Sequence, residues 1–480
     1  MSQVRKALAY SFLGANTVTL IQFGSTLVIA RLLTPEEIGI YSVAAVFIGI
    51  AALLRDFGVT NYLVQANELS TQMLRSALGL ITLTSTILSL AILLCSGSIA
   101  EFYRTPDLQP VLNVLALNTL LVPLGAITLT VARRQMRFRA LSAINVASAL
   151  VTMIVSITLA TLDYGPISLA WGGVAGTLTS AALSLRLRND EIPWMPSLRK
   201  LSDIASFGAA SGGASIIGYI NVTAGDILLG RLLGMEHVGL FNRALSLTQF
   251  VSRALSSAMN PVLLPWLSQI KRDNQHPRHA YRKVVELTTG VTWPIFASVA
   301  VLNEELVLVL FGDQWGQSAT LVPYICISAG IGSVYAVCSP LYNAIGKPSA
   351  DFYAQSANLP IKVGAIIFLA PQGIEAVASS WPWIASLGAA MHSLMLKRYT
   401  TIGLSDTLSA LAKSTALMIT AMVASATVSR LAVGILEPGW TLVAGGTTAA
   451  ASTLIVASII KHPVMNEVIQ IVANRAGRRL

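Results

Sequence analysis

Among the stretches of this chain that run for more than twenty residues without an Asp, Glu, Lys or Arg are 76–100, 108–132, 140–162, 164–185, 204–225, 376–396 and 438–460. A helix needs roughly 20 residues to cross the hydrocarbon core of a bilayer. Backbone polar groups facing lipid find no water, so such runs must satisfy their own hydrogen bonds, as helices. Charged residues make up only 11% of the chain, against about a quarter in soluble domains. They gather in short clusters between the apolar runs. The fold class is an all-α polytopic membrane protein.

Apolar segments near 7–30, 38–60, 74–100, 109–131, 140–161, 165–187, 203–229, 238–267, 285–310, 317–344, 350–369, 374–397, 408–433 and 439–461 make about fourteen transmembrane helices. Arg5 and Lys6 ahead of the first segment resemble the start of a signal peptide. That segment is long enough to span, however, and aligns with a later one, so it is read as a retained helix. With the N-terminus placed in the cytoplasm, the inside segments hold 24 of the 32 basic residues. The outside connections hold only Arg31, Arg104, Arg231 and Arg430, with eleven carboxylates. The positive-inside rule therefore predicts an even number of spans with both termini cytoplasmic.

One motif occurs twice. "RLLTPEEIGIY" begins at Arg31 and "RLLGMEHVGLF" at Arg231. Each copy is expected in an outside loop after the first helix of a bundle. Six helices separate them, so both halves enter the membrane in the same direction, a parallel duplication of the kind some transporters show. A weaker echo relates "EFYRTPDLQPVLNVLALN" from Glu101 to "LFGDQWGQSATLVPYICI" from Leu310. The expected organisation is a six-helix lobe over 1–200 and a parallel six-helix lobe over 201–400. Residues 401–480 add two helices and a basic cytoplasmic tail.

These loops carry a family resemblance. "ARLLTPEEIGIYSVA" resembles the signature after the first helix of bacterial polysaccharide-export flippases. "EFYRTPDLQPVLNVLAL" with "RRQMRFRAL", and "LFGDQWGQSATLVPYICI" with "LYNAIGKP", are similar to the same proteins. Together they resemble the polysaccharide transporter (oligosaccharide flippase) branch of the multidrug/oligosaccharidyl-lipid/polysaccharide exporter superfamily, over roughly residues 1–400. The resemblance implies two lobes around a central cavity and alternating access. It implies an undecaprenyl-pyrophosphate-linked oligosaccharide as substrate, moved across the bacterial inner membrane for surface polysaccharide biosynthesis. Membrane lipids and a polysaccharide polymerase or co-polymerase are the expected partners.

Transport needs no nucleophile, so no catalytic residue is expected and the chain is not read as an enzyme. The informative groups are charges at membrane depth, which cost several kcal/mol and usually face a cavity or a partner. Lys362 lies about 18 Å into its helix, near the midplane, and is expected to face the cavity. Arg253 and Arg55 fall at nearly matching depths in the two halves, where guanidinium forks suit a pyrophosphate. For Arg55 a local pair with Asp56 is an equal reading. Asp226 and Arg243 near the outer ends of adjacent helices read as a structural salt bridge. Gly39 and Gly239 are candidate outer gates, through close approach or an unusual turn; a plain helix-start signal is the competing reading.

Other motifs fall away. "GKPS" at Gly346 lacks the upstream Gly of a P-loop. "HPRH" at His276 lacks a third metal ligand. Cys95, Cys326 and Cys338 sit in apolar runs and imply neither disulfide nor metal. No cofactor is expected. The +10 balance is explained by the inside clusters, not by nucleic acid. A cation-coupled multidrug antiporter of the same superfamily would need carboxylates inside the membrane, whereas basic in-span residues outnumber acidic ones here. A membrane polymerase or ligase would need a large outside loop, and none exceeds about fifteen residues. A lipid II flippase is the nearest alternative.

Overall fold

The computed structural model describes residues 2–56, 59, 63, 68–188, 192–198, 218–273, 276–432 and 435–465. Every regular element among them is helical. The basic tail beyond 465, and residues 203–217 of the expected span 203–229, lie outside the described residues. The chain separates into two compact units, Met1–Gly239 and Leu240–Leu480.

The first unit holds α1 (Ser2–Leu32), α2 (Pro35–Asp56), α3 (Thr71–Tyr103), α4 (Leu108–Leu121), α5 (Pro123–Arg134), α6 (Phe138–Thr161), α7 (Ile167–Leu185) and α8 (218–232). It ends in the first turn of α9 (Met235–Arg272). Helix α6 packs on α1 and α7, and α4 on α2, α3 and α7. The α6–α7 seam is made of small residues. A Cβ on Gly172 would stand 1.9 Å from Ser156 Oγ, and one on Gly176 would stand 2.1 Å from Thr152 Oγ1. Ser148 Oγ donates to the Gly176 carbonyl at 2.8 Å. Without a hydrophobic driving force between helices in lipid, close backbone approach of this GxxxG kind is what holds spans together.

The second unit holds the rest of α9, then α10 (Arg278–Val301), α11 (Asn303–Phe311), α12 (Gly316–Val334), α13 (Cys338–Ala344), α14 (Ser349–Leu369), α15 (Ile374–Thr400), α16 (Leu404–Ala432) and α17 (Pro438–Ile459). Helix α10 packs on α12 and α16, α15 on α12 and α14, and α17 on α16. Thr289 Oγ1 donates to Ser414 Oγ at 2.8 Å in the buried α10–α16 seam.

Among the described residues, eight helices are long and apolar enough to cross a membrane, or nine if the bent pair α4–α5 is one span. Their surfaces agree with that reading: Leu94 on α3 and Ile459 on α17 each leave more than 70% of their area open, which a chain in water would bury.

Three segments expected as single spans are interrupted. Segment 109–131 is α4 and α5, bent by 50°. Pro123 opens α5, and its ring displaces the carbonyl four residues back while offering no N–H. Segment 317–344 is interrupted by a turn between α12 and α13, just before Pro340, though Asp313–Ala344 still makes one candidate span. Segment 285–310 breaks at Leu302, where Asn303 Nδ2 donates to the Ala300 carbonyl at 3.1 Å and takes over the helix end.

Candidate functional site

The duplicated motif meets itself. Thr34 starts α2 with a capping box: Glu37 N–H donates to Thr34 Oγ1 at 3.3 Å, and Thr34 N–H donates to Glu37 Oε2 at 2.8 Å. This satisfies two orphan donors at the helix start. One turn later the backbone of the second copy arrives. A Cβ on Gly39 would lie 1.8 Å from the Met235 carbonyl oxygen, and one on Gly239 would lie 1.9 Å from the Pro35 carbonyl oxygen. Positions 35 and 39 thus face 239 and 235, the reciprocal pattern of a twofold contact. Both glycines sit inside helices, in α2 and α9, and neither has positive φ. Of the two roles expected for them, close approach is what the geometry displays.

Lys362 lies on α14, with its Nζ 5.1 Å from the centre of the Trp381 ring on α15. A cation over an indole face gains on the order of 0.5–2 kcal/mol, more as water is removed. Trp381 is itself held edge-on by Phe241 at 4.8 Å, and Ser328 Oγ donates to its carbonyl at 3.3 Å. Pro360 stands inside α14 two residues before Lys362, so the Ser356 carbonyl loses its usual helical donor.

Lys362 is one of four polar groups on α14 at positions i, i+4, i+7 and i+11: Asp351, Gln355, Asn358 and Lys362. That spacing places them on one face. Gln355 Nε2 donates to Asp351 Oδ2 at 3.1 Å. Asn358 faces Gly388 of α15, whose added Cβ would lie 3.1 Å from its Nδ2. Among the described residues, Asn358 Oδ1 is buried with no hydrogen-bond partner. Further along α15, His392 is stacked between Tyr335 at 5.8 Å and Tyr342 at 6.1 Å, and its Nδ1 is likewise unsatisfied. An unsatisfied buried acceptor costs roughly 1–3 kcal/mol, so this stripe stores capacity for a polar ligand. The charge-based reading missed Asp351, Gln355, Asn358 and Trp381. The periodicity of the polar residues was the signal for the first three.

The other candidates are placed as follows. Arg55 is buried in the first unit, with Nε 3.0 Å from Asp56 Oδ1; the local pair is the geometry present. Arg253 is exposed in the second unit, and its Nη2 donates to Gln249 Oε1 one turn back at 3.2 Å. Asp226 lies on α8 in the first unit. Arg243, buried in the second unit, sets its guanidinium over Trp315 at 4.5 Å and Phe311 at 5.0 Å. His276 has both ring nitrogens engaged, with Nε2 2.9 Å from Thr401 Oγ1 and Nδ1 accepting from Arg278 N–H at 3.1 Å.

The sequence matches the family described as "Polysaccharide biosynthesis protein" over residues 28–320. It is 23% identical over 394 residues to the lipopolysaccharide biosynthesis protein WzxC of Escherichia coli strain K12, covering 80% of this chain and 77% of that protein. It is 22% identical to the succinoglycan biosynthesis transport protein ExoT of Rhizobium meliloti strain 1021, covering 79% and 76%. The fold is similar to that of the lipid II flippase MurJ in an inward closed conformation, with a TM-score of 0.71 at 14% identity over 93% of this chain and 98% of that one. An inward-facing MATE multidrug transporter of the MOP superfamily gives a TM-score of 0.57 at 13% identity, over 83% and 95%. The chain belongs to the family described as "Polysaccharide biosynthesis protein".

Proposed function

We propose that this protein is a flippase that carries an undecaprenyl-pyrophosphate-linked oligosaccharide across the bacterial inner membrane for surface polysaccharide biosynthesis. The observation that carries this reading is the family match over residues 28–320. The named relatives work in lipopolysaccharide and succinoglycan biosynthesis, and a third is a teichuronic acid biosynthesis protein, which supports a saccharide cargo.

Transport proceeds by alternating access around a cationic cavity. Lys362, on α14 over the Trp381 ring, holds the diphosphate. An ammonium is a compact point charge that can keep a phosphate while the headgroup shifts, and nearby lipid lowers the dielectric that would otherwise screen it. The polar stripe from Asp351 to Asn358 offers amide and carboxylate partners to sugar hydroxyls. Arg253, exposed and hydrogen-bonded to Gln249, can swing to a second phosphate oxygen. Arg55 is held to Asp56 and contributes less. On the outer face a polysaccharide polymerase or co-polymerase takes over the saccharide.

Both termini lie in the cytoplasm. In a Cys95→Ser background, Glu36→Cys and Asp313→Cys should react with an impermeant thiol reagent from outside, and Arg137→Cys should not. The reverse pattern would invert the orientation.

The function is tested by deleting the gene. Lipid-linked oligosaccharide should accumulate on the cytoplasmic leaflet, surface polysaccharide should vanish, and peptidoglycan synthesis should continue. Accumulation of lipid II with cell lysis would instead assign the chain to peptidoglycan precursor transport. Loss of cation-driven dye efflux with intact polysaccharide would assign it to drug antiport.

A further inference from the structure

At one end of the first unit a short segment beyond α7 forms a strap. It runs through 192–198 and lies along the start of α3. Ser197 N–H donates to the Arg75 carbonyl at 2.9 Å, and Arg75 Nε donates to the Met195 carbonyl at 3.3 Å. Gln72 Nε2 donates to Ser197 Oγ at 3.2 Å. Contact is so close that a Cβ on Gly79 would fall 2.1 Å from the Ser197 carbonyl oxygen. The strap therefore has a defined conformation and buries Ile192, yet it leaves two larger side chains open. Trp194 is 72% and Met195 71% exposed.

Arginines tie this strap to its neighbours. The Arg188 guanidinium lies 3.5 Å from the centre of the Trp194 ring, and its Nη2 donates to the Ile192 carbonyl at 2.9 Å. Arg137, in the turn between α5 and α6, donates from Nη1 to the Leu187 carbonyl at 3.3 Å. Met136 beside it is exposed and held at φ 56°. The segments 71–79, 131–140, 183–188 and 192–198 carry seven arginines and no acidic residue; Asp190 and Glu191 lie outside the described residues. Segments 71–79 and 131–140 include the starts of α3 and α6, two helices long and apolar enough to cross a membrane.

Two features must be explained together. A rigid loop that exposes Trp and Met wastes apolar area in water. Charge of one sign, packed against those apolar groups, repels itself without counterions. An anionic lipid leaflet answers both, since Trp rings settle at headgroup depth and arginines there meet lipid phosphates. An acidic protein partner would satisfy the charge but not a helix-end position level with the headgroups.

We propose that the strap Ile192–Leu198, with the Met136–Arg137 turn, is a docking site for anionic phospholipid, in which Trp194 and Met195 insert at headgroup depth and Arg188 and Arg137 hold the lipid phosphate. The stack on Trp194 and the hydrogen bond to the Ile192 carbonyl fix the plane of the Arg188 guanidinium beside the exposed ring. The site sets the depth of the first unit in the leaflet.

The test uses the purified full chain in vesicles containing dibrominated phosphatidylglycerol or dibrominated phosphatidylcholine at equal mole fraction. The Trp194 share of emission is the difference between the parent protein and Trp194→Phe. Both lipids should quench that share, with phosphatidylglycerol preferred by about fivefold for each arginine engaged. The preference should fall toward unity in Arg188→Gln with Arg137→Gln, and in the unmodified protein at 1 M salt, where charges are screened within about 3 Å. The salt arm reads the same property even where the double variant loosens the strap. Absence of quenching would place the strap in water or against a protein, and equal quenching by the two lipids in the parent would leave an apolar anchor without a phosphate site; either result overturns the proposal.

Discussion

The Met235 carbonyl oxygen occupies the space where a Cβ on Gly39 would stand, 1.8 Å away. Its repeat-related counterpart, Pro35 against Gly239, is as close. Neither obstacle is a side-chain tip that can swing aside; both are helical backbone. Gly39→Ala and Gly239→Ala should therefore each push two helix starts apart and cost about 1–3 kcal/mol as overpacking. Thermal unfolding of the detergent-solubilised protein should show a clear drop for both. Gly446→Ala, at a helical position with open space around it, should be neutral. If Gly39→Ala unfolds at the parent temperature, the close crossing is not part of the working structure.

The duplication was legible in the sequence, since five residues of an eleven-residue stretch recur unchanged, and three more in kind, at a spacing of 200. That the copies touch was not, because separation along the chain carries no information about contact. Helices were legible because charge-free runs of span length have one solution in lipid. Their breaks were only half legible: Pro123 and Pro340 announce two, while the break at Leu302 depends on an Asn side chain capping a carbonyl. Lys362 was found by its charge. Trp381, its aromatic partner, stands 19 residues away on another helix, and no local pattern joins them.

Asn358 separates a ligand-facing stripe from a structural one. Its Oδ1 has no partner among the described residues, so removing it breaks no hydrogen bond there. Asn358→Leu should leave protein abundance unchanged or raised, because an unsatisfied buried acceptor is lost. Export should nevertheless fall several-fold. A joint fall in abundance and export would make Asn358 a packing residue.

Acid should loosen the second unit through His462. This side chain is fully buried, just after α17. Nδ1 accepts from Val464 N–H at 3.2 Å, so it carries no proton, and Nε2 lies 3.3 Å from Ser414 Oγ. Burial, and secondly the nearby Lys413 cation, hold its pKa below the ordinary 6.5. The folded state thus favours neutral imidazole. Its contribution is whole above pH 6.5 and is lost as pH falls below that value, where the unfolded chain binds the extra proton. Melting measured between pH 7.5 and 5 should decline toward acid in the parent and decline less in His462→Gln. Parallel curves would show that His462 does not control the acid response.

The central claim is that a cation on α14 handles an anionic lipid-linked saccharide, and Lys362 tests it most directly. A charge at this depth is retained against a cost of about 3 kcal/mol on insertion scales. Surface polysaccharide, normalised to protein in the membrane, is measured in a deletion strain complemented with each variant. Lys362→Arg should be the mildest, Lys362→Ala should reduce export strongly and Lys362→Glu should abolish it. If Lys362→Glu exports as well as the parent at equal abundance, the cationic site is contradicted for this protein.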